Sequence, residues 1–156
     1  MRPKKCKQKL SAKERALQIV TRKMRSVSEL RIKLIQEEYP VEEIEVALER
    51  LSEVYLLDDK KIAESIVRQY KDRSNRFIIN RLKQKGIHSE IHLDAMEALE
   101  CEEERALFCG KKKAKVLENI APHIAAQKIY QHLAMRGFSS SLAQKVARIL
   151  TKDSIL

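Results

Sequence analysis

The chain has 156 residues, of which 3 are glycine, 3 are proline, none is tryptophan and 4% are aromatic. Strands favour aromatic and β-branched residues and need turn residues between them, so this composition excludes most sheet-based folds and predicts an all-α protein. The glycines are too far apart for a P-loop or a dinucleotide-binding motif, which excludes the usual phosphate-binding loops. A formal net charge of +10 indicates a polyanionic partner or an acidic protein surface.

The cysteines and the apolar segments indicate the compartment. The odd number of cysteines does not suit a disulfide framework, and no apolar stretch of a signal peptide follows the charged N-terminus. The apolar runs are a few residues long, far short of the roughly 20 residues that span a bilayer. We therefore expect a soluble, cytoplasmic protein that does not contact a membrane.

Residues 1–11 form the first predicted element, a basic N-terminal tail. After it, an aliphatic residue followed four positions later by leucine occurs three times, which marks three similar helices because positions i and i+4 share one helix face. The pairs are Leu30/Leu34, Ile78/Leu82 and Ile129/Leu133. The spacing predicts an elongated tandem array of three three-helix repeats, over residues 12–57, 58–101 and 102–156.

Amphipathic runs on both sides of each pair predict the other helices and the rest of the core. The first helices carry Leu17/Val20/Met24, Ile62/Ile66/Tyr70 and Leu107/Ala114/Leu117. The third helices carry Ile44/Leu48/Leu51, Ile91/Ala95/Ala98 and Leu142/Val146/Ile149. The aromatic residues mostly fall at core-compatible positions and are predicted to pack rather than to stack on bases. They are Tyr39, Tyr55, Tyr70, Phe77, Phe108, Tyr130 and Phe138.

Residues that start and stop helices agree with this division. Ser28 and the pair Asp58-Asp59 are suited to helix N-termini, because their oxygens accept backbone N–H groups. Gly86 and Gly137 are suited to the left-handed position that follows a helix.

The charge alternates along the chain in step with the repeats. The net charge is +8 in residues 1–39, −5 in 40–67, +6 in 68–86, −6 in 87–105 and +7 in 106–156. A requirement for solubility alone would place charge on exposed helix faces, but it would not separate the two signs by repeat position. The alternation favours a basic track along one edge of the array and an acidic track along another.

Basic side chains on and near the second helices, together with a lysine cluster in the third repeat, are the candidate contacts for DNA or for an acidic protein surface. Arginine is favoured because its planar guanidinium binds phosphate or carboxylate through two hydrogen bonds. The candidates are Arg22, Lys23, Arg25, Arg31, Lys33, Arg68, Arg73, Arg76, Arg81, Lys83, Lys111, Lys112 and Lys113. The basic tail suits either salt-sensitive phosphate contacts or solubility alone.

The sequence offers no group of residues that suits catalysis, a metal or a cofactor. The pair Asp58-Asp59 has no further carboxylate cluster beside it and is predicted to cap a helix. His88 and His92 have the spacing of two zinc ligands but lack the rest of a zinc motif. The run Ser139–Ser141 lacks a nucleophile-elbow sequence and is predicted to begin a helix. The chain is therefore predicted to act by binding and not as an enzyme.

The order and spacing of several short segments resemble the RecX family, regulators of the bacterial recombinase RecA. The resemblance runs from about Glu14 to Leu150. The segments that carry it are Ser28-Glu29-Leu30 with Lys33-Leu34, Leu56-Leu57-Asp58-Asp59 with Ala63, Arg81-Leu82-Lys83-Gln84-Lys85-Gly86-Ile87, and Arg136-Gly137-Phe138. The chain departs from the family at Ser74-Asn75, where a glycine commonly precedes the second helix of the middle repeat. Asparagine tolerates the same left-handed backbone at modest cost.

This resemblance implies tandem three-helix repeats in a curved, extended molecule. It also implies binding to the RecA nucleoprotein filament, along its helical groove, with suppression of filament growth, ATP hydrolysis and strand exchange. We expect a monomer that modulates DNA repair and the SOS response, needs no cofactor, and contacts single- or double-stranded DNA weakly through its basic track.

A helix-turn-helix DNA-binding protein is the alternative interpretation, since three-helix units with basic helices also occur in that class. The third helices of the first two repeats count against it, because DNA phosphates would repel an acidic recognition helix. Their acidic residues are Glu42, Glu43, Glu45, Glu49, Glu90, Asp94 and Glu97.

Overall fold

The described part of the chain, residues 10–152 of a computed structural model, folds into nine α-helices and contains no strand. The all-α prediction is confirmed. The helices are α1 (Ala12–Arg22), α2 (Val27–Gln36), α3 (Val41–Glu53), α4 (Asp59–Gln69), α5 (Asn75–Gln84), α6 (Ser89–Met96), α7 (Glu102–Lys115), α8 (Pro122–Met135) and α9 (Ser140–Lys152). The basic tail predicted over residues 1–11 lies outside the described residues except for Leu10 and Ser11.

The helices pack as three units of three, each around a core of its own. Unit 1 consists of α1 to α3, unit 2 of α4 to α6 and unit 3 of α7 to α9. The leucine and isoleucine pairs of the second helices lie at the centres of these cores. They are Leu30, Leu34, Ile78, Leu82, Ile129 and Leu133, all fully buried. Hydrogen bonds connect unit 1 to unit 2 and unit 2 to unit 3, and the predicted tandem array is confirmed.

Serine side chains determine where α1 and α2 begin. The hydroxyl of Ser11 accepts the N–H of Glu14, whose carboxylate in turn accepts the N–H of Ser11. Ser26 and Glu29 form the same capping box at the start of α2. The prediction that Ser28 begins this helix is wrong: Ser28 lies in the first turn, because the box requires a glutamate three residues after the serine.

Left-handed residues end the second helices of all three units. Gly86 follows α5 with φ of 67° and Gly137 follows α8 with φ of 87°, as predicted. Unit 1 has Glu38 at the equivalent position, with φ of 60°. This backbone conformation costs about 1 kcal/mol for a residue with a Cβ atom. Unit 1 therefore carries a strain at this point that glycine avoids in the other two units.

Several apolar residues that were predicted to lie in a core are exposed. They are Leu17, Met24, Ala98 and Ile149. Helix α1 ends before Met24 and buries Ala12 and Ala16 instead, so its core face lies one position away from the expected face. Helix α6 ends at Met96, and the connection to α7 therefore contains Ala98.

Two of the aromatic residues are also exposed. Tyr55 is 78% exposed in the connection after α3, and Phe108 is 54% exposed on α7. The prediction that aromatic side chains pack is wrong for these two and correct for the other five, which are buried or half-buried. Tyr55 follows the C-cap of α3 with φ of 56°, a conformation that directs the chain into the next unit and leaves its ring outside both cores.

Candidate partner-binding surface

The candidate cations of unit 1 are largely paired with carboxylates of the same unit. Arg31 donates from Nε and Nη2 to the two carboxylate oxygens of Glu45, at 2.9 and 2.8 Å. Arg22 and Lys23 are exposed at the end of α1. Longer ion pairs join Arg25 to Glu29 at 3.9 Å and Lys33 to Glu37 at 3.6 Å. An external anion would therefore have to displace carboxylates over most of this unit.

Two candidate arginines of unit 2 lie against a pair of aromatic rings. Tyr70 and Phe77 meet edge to face, with their centroids 5.3 Å apart. The Cζ atom of Arg81 lies 5.6 Å from the centroid of Tyr70 and 5.4 Å from that of Phe77. Arg73 lies 5.0 Å from the centroid of Phe77. Cation–π attraction restrains the side chain of Arg81 while its guanidinium group stays at the surface.

The remaining candidates of unit 2 carry unneutralised charge. Arg68, Arg76 and Lys83 are exposed, and none of them forms an ion pair with a residue in the range 10–152. An incoming phosphate or carboxylate would not have to break an ion pair at these side chains. Helix α5 and the end of α4 therefore present more available positive charge than unit 1.

A groove runs along α7 at the border between units 2 and 3, and we call it the α7 groove. Its larger part has a volume of about 540 Å³ and is lined by Arg68 and Lys71 of unit 2 and by Phe108 and Lys112 of α7. Its smaller part, of about 230 Å³, also contacts Phe108 and Lys112. The other basic side chains of the smaller part are Lys113, His132 and Arg136.

The carboxylates of the α7 groove do not balance its cations. Asp72 lies between the two parts of the groove and pairs with Arg136, with Oδ2 and Nη2 3.2 Å apart. Glu100 is the other acidic residue of the larger part. Lys112 lies 4.3 Å from the centroid of the Phe108 ring. The groove thus combines an exposed aromatic side chain with an excess of positive charge.

Arg105 adds a buried cation to the wall of this groove. Its guanidinium donates to the carbonyl oxygens of Glu100, Lys71 and Arg73 at 3.0, 3.3 and 2.5 Å, and also to the side-chain oxygen of Asn75. These partners are neutral, and Arg105 forms no ion pair with a carboxylate in the part of the chain that the structure describes. Its charge therefore raises the electrostatic potential of the groove.

His132 is sensitive to this positive potential. Burial and the nearby cations Arg136 and Lys113 lower the pKa of His132, and this outweighs the opposite effect of Asp72. The imidazole is therefore held neutral at physiological pH.

Sequence reasoning found part of this groove. It selected Arg68, Lys112 and Lys113, which the fold brings to one groove, and Lys111 lies exposed on the same helix. It missed Lys71, Arg105 and Arg136. The positive charge of these three residues is visible in the sequence, but their position depends on how units 2 and 3 dock, which no local spacing indicates.

The residues weighed for metal binding or catalysis have structural roles. Asp58 caps α4, and the bond from the N–H of Lys61 lowers the pKa of its carboxyl group. His92 is buried, with Nε2 2.9 Å from the carbonyl oxygen of Ile87. Ser139 accepts the N–H of Leu142 at the start of α9. Between residues 10 and 152, no three His, Cys, Asp or Glu side chains are grouped closely enough to hold a metal ion.

No helix in the described range is long and apolar enough to cross a bilayer. Three-helix units in series, a cationic groove at one border and exposed arginines on α5 characterise the described part of the chain. This is the architecture of a helical-repeat protein.

Comparison with known proteins identifies the family. Residues 12–51 match the model of the first three-helix domain of RecX, and residues 100–147 match that of the third. A regulatory protein RecX from Corynebacterium efficiens is 30% identical over 90% of this chain and 71% of its own length. That of Clostridium perfringens is 28% identical over 94% of this chain and 72% of its own length.

A solved structure agrees with these sequence matches. The crystal structure of RecX from Lactobacillus salivarius aligns with a TM-score of 0.72 and 25% identity, over 89% of this chain and 94% of that chain. The chain belongs to the RecX family of regulatory proteins.

Proposed function

We propose that this protein binds the nucleoprotein filament of the recombinase RecA and inhibits its ATPase and strand-exchange activities, and thereby modulates DNA repair and the SOS response. It acts in the cytoplasm as a monomer, without a cofactor and without catalysis of its own. Membership of the RecX family supports the regulatory role. The observation that carries the proposal is the unpaired basic surface of α5 on a chain of this family.

The charge distribution supports a partner that contains both nucleic acid and protein. Arg76, Arg81 and Lys83 on α5 are free of carboxylate partners in the described range, whereas exposed Glu42 and Glu49 make α3 acidic. A filament of protein on DNA presents phosphates and protein side chains of both signs. Contacts to phosphates would supply salt-sensitive affinity without reading the base sequence.

The test is the ATPase activity of the cognate RecA on single-stranded DNA, measured with and without this protein. We expect inhibition at ratios near one protein per RecA subunit or below. Full ATPase activity at these ratios, together with tight sequence-specific binding to duplex DNA, would contradict the proposal and support the helix-turn-helix interpretation.

Charge reversal on α5 tests the contact surface. The double substitution Arg76→Glu with Arg81→Glu should weaken inhibition, because it replaces two positive charges of the proposed contact surface with negative ones. Both side chains are exposed, so we expect the fold to be retained. Arg50→Glu is the control for charge reversal elsewhere, since Arg50 is an exposed arginine on the acidic helix α3. Unchanged inhibition in the double variant, with unchanged helicity, would show that α5 is not the contact.

A further inference from the structure

The units meet at two joints built to the same plan. At the first joint, the hydroxyl of Ser26, which precedes α2, donates to the carbonyl oxygen of Lys85, which follows α5, at 2.5 Å. The N–H of Val27 donates to a carboxylate oxygen of Asp59 at 3.0 Å. The N-terminus of α2 therefore abuts the C-terminus of α5, and the first residue of α4 caps α2.

At the second joint, the equivalent positions make equivalent contacts. The N–H of Ser74, which precedes α5, donates to the carbonyl oxygen of Arg136 at 3.2 Å. The N–H of Asn75 donates to a carboxylate oxygen of Glu102 at 3.1 Å. The N-terminus of α5 thus abuts the C-terminus of α8, just as the N-terminus of α2 abuts the C-terminus of α5. Glu102, the first residue of α7, caps α5 as Asp59 caps α2. The helix dipoles align favourably at both joints.

Both joints require a glycine, because atoms of the neighbouring unit lie too close to leave room for a Cβ atom and because the glycine has a positive φ. A Cβ atom on Gly86 would lie 2.4 Å from Cβ of Ser28, and one on Gly137 would lie 2.7 Å from Oγ of Ser74. Both distances are shorter than van der Waals contact allows. The two joints are therefore close backbone contacts between neighbouring units.

The joints differ in the side chains that reinforce them. At the first, Lys85 donates to Glu29 at 2.8 Å and the pair remains partly exposed. At the second, Arg105 of unit 3 binds two carbonyl oxygens and one side-chain oxygen of unit 2. The ion pair between Arg136 and Asp72 also crosses the second joint.

Among the described residues, two further bonds cross the second joint and have no equivalent at the first. Arg73 donates to the carbonyl oxygen of Met135 at 3.0 Å, and the thiol of Cys109 lies 3.5 Å from the carbonyl oxygen of Asp72. Each of the described hydrophobic clusters lies within one unit, so none of them crosses a joint. The relative strength of the joints therefore depends on these polar contacts.

We propose that units 2 and 3 form one rigid body and that unit 1 is an arm that reorients about the joint between α2 and α5. The bonds of Arg105 make the difference, because movement of unit 2 relative to unit 3 would break three hydrogen bonds of a buried guanidinium group at once. This articulation is a property of the chain itself and does not depend on the identity of its partner.

Hydrogen exchange at two backbone amides measures the joints directly in the unmodified protein. Val27 and Asn75 are the first residues of their helices, where an N–H group has no partner within the helix. Their protection therefore comes from Asp59 and Glu102 across the joints. We expect the protection factor of Val27 to be lower than that of Asn75 by about ten-fold or more. Equal protection would overturn the proposal.

Substitution of Arg105 tests its part in this difference. Arg105→Met should lower the protection of Asn75 to about that of Val27 and leave Val27 unchanged. Lys112→Met is the matched control, since Lys112 is exposed on the same helix and makes no bond across the joint. Retained protection at the amides of Leu82 and Leu133 would show that both cores stay folded. Retained protection of Asn75 in Arg105→Met would overturn the role of Arg105.

Spin-label distances distinguish movement of a whole unit from fraying of a helix end. Cys6 and Cys101 are replaced, and Cys109 is retained because it is buried and contacts unit 2. Labels on Glu49 and Ser65 then span the first joint, and labels on Ser65 and Gln144 span the second; all three positions are exposed. We expect a broader distance distribution across the first joint. Distributions of equal width would overturn the proposal, whatever the variants show.

Discussion

The guanidinium group of Arg15 binds the carboxylate of Glu37 through two parallel hydrogen bonds, 2.6 Å from Nε to Oε2 and 2.7 Å from Nη2 to Oε1. Arg15 belongs to the phrase Glu-Arg-Ala-Leu, which occurs again in α7, where the arginine is Arg105. The first arginine holds α1 to the end of α2 in its own unit, whereas the second reaches the preceding unit. The same four-residue motif therefore makes a contact within its unit in one repeat and a contact between units in the other.

The pair between Arg15 and Glu37 predicts a pH dependence of stability. The hydrogen bond from Arg15 is the main cause that lowers the pKa of Glu37 in the folded protein. A carboxylate with a lower pKa in the folded state stabilises the fold at neutral pH and loses this contribution as the pH falls through that pKa. We expect the free energy of unfolding to decrease from about pH 5 to about pH 3.

Glu37→Gln isolates this contribution in urea unfolding measured across that pH range. The variant should be less stable by about 0.5–1 kcal/mol at pH 7 and should show a flatter pH profile. Glu45→Gln is the comparison, since its pair with Arg31 is more exposed. A variant profile as steep as that of the unmodified protein would mean that other carboxylates cause the dependence.

The core register of unit 2 predicts a large effect at Leu82. Leu82 is fully buried, so Leu82→Ala should lower the free energy of unfolding by about 2–5 kcal/mol. Leu93 is 76% exposed on α6, and Leu93→Ala should change it by less than about 0.5 kcal/mol. Thermal or urea unfolding followed by circular dichroism measures both. Similar losses in the two variants would mean that the register of unit 2 is wrong.

The residues with positive φ predict two substitutions that change the free energy of unfolding in opposite directions. Glu38→Gly should raise stability by about 0.5–1 kcal/mol, because glycine relieves the strain at φ of 60°. Gly137→Ala should lower it, because a Cβ atom would meet Ser74 at 2.7 Å in addition to the strained φ. Urea unfolding of the two variants checks the signs, and a stabilising Gly137→Ala would contradict the described joint.

The two capping boxes predict unequal effects of alanine. Ser26→Ala should destabilise by about 1–2 kcal/mol, because the fully buried hydroxyl both accepts the N–H of Glu29 and donates to the carbonyl oxygen of Lys85. Ser11→Ala removes an exposed cap with the same local geometry and no contact to another unit, and should have a smaller effect. Equal losses, measured by urea unfolding, would mean that the bond to Lys85 contributes little.

Local patterns predicted the interior of each unit well. Leu34 and Leu82 could be placed in cores because positions four apart share a helix face, and Gly86 could be placed after a helix because few residues adopt its backbone angle. Contacts between units were not predictable in this way. The position of Asp59 next to Val27, 32 residues away, results from docking of two folded units.

The candidate binding surface was likewise predictable only where it lies within one unit. Exposed cations on α5 such as Arg76 follow from the same periodicity that identifies the core. The α7 groove does not, because Lys71 and Lys112 become neighbours only when unit 3 docks on unit 2. Phe108 was assigned to a core for the same reason: a helical period shows which residues share a face, but not how much of that face a neighbouring unit covers.

Glu38 has a consequence for assembly. The two joints require a bare Cα atom after the second helix and a free carbonyl end at which the next helix can begin. At the end of α2, Glu38 carries a Cβ atom at the position that Gly86 and Gly137 occupy at the joints, and the side-chain carboxylate of Glu37 is bound by Arg15. A helix placed against the end of α2 as α2 is placed against α5 would meet the Cβ atom of Glu38. The end of α2 therefore differs from the ends of α5 and α8, each of which is in close contact with a neighbouring unit through its glycine.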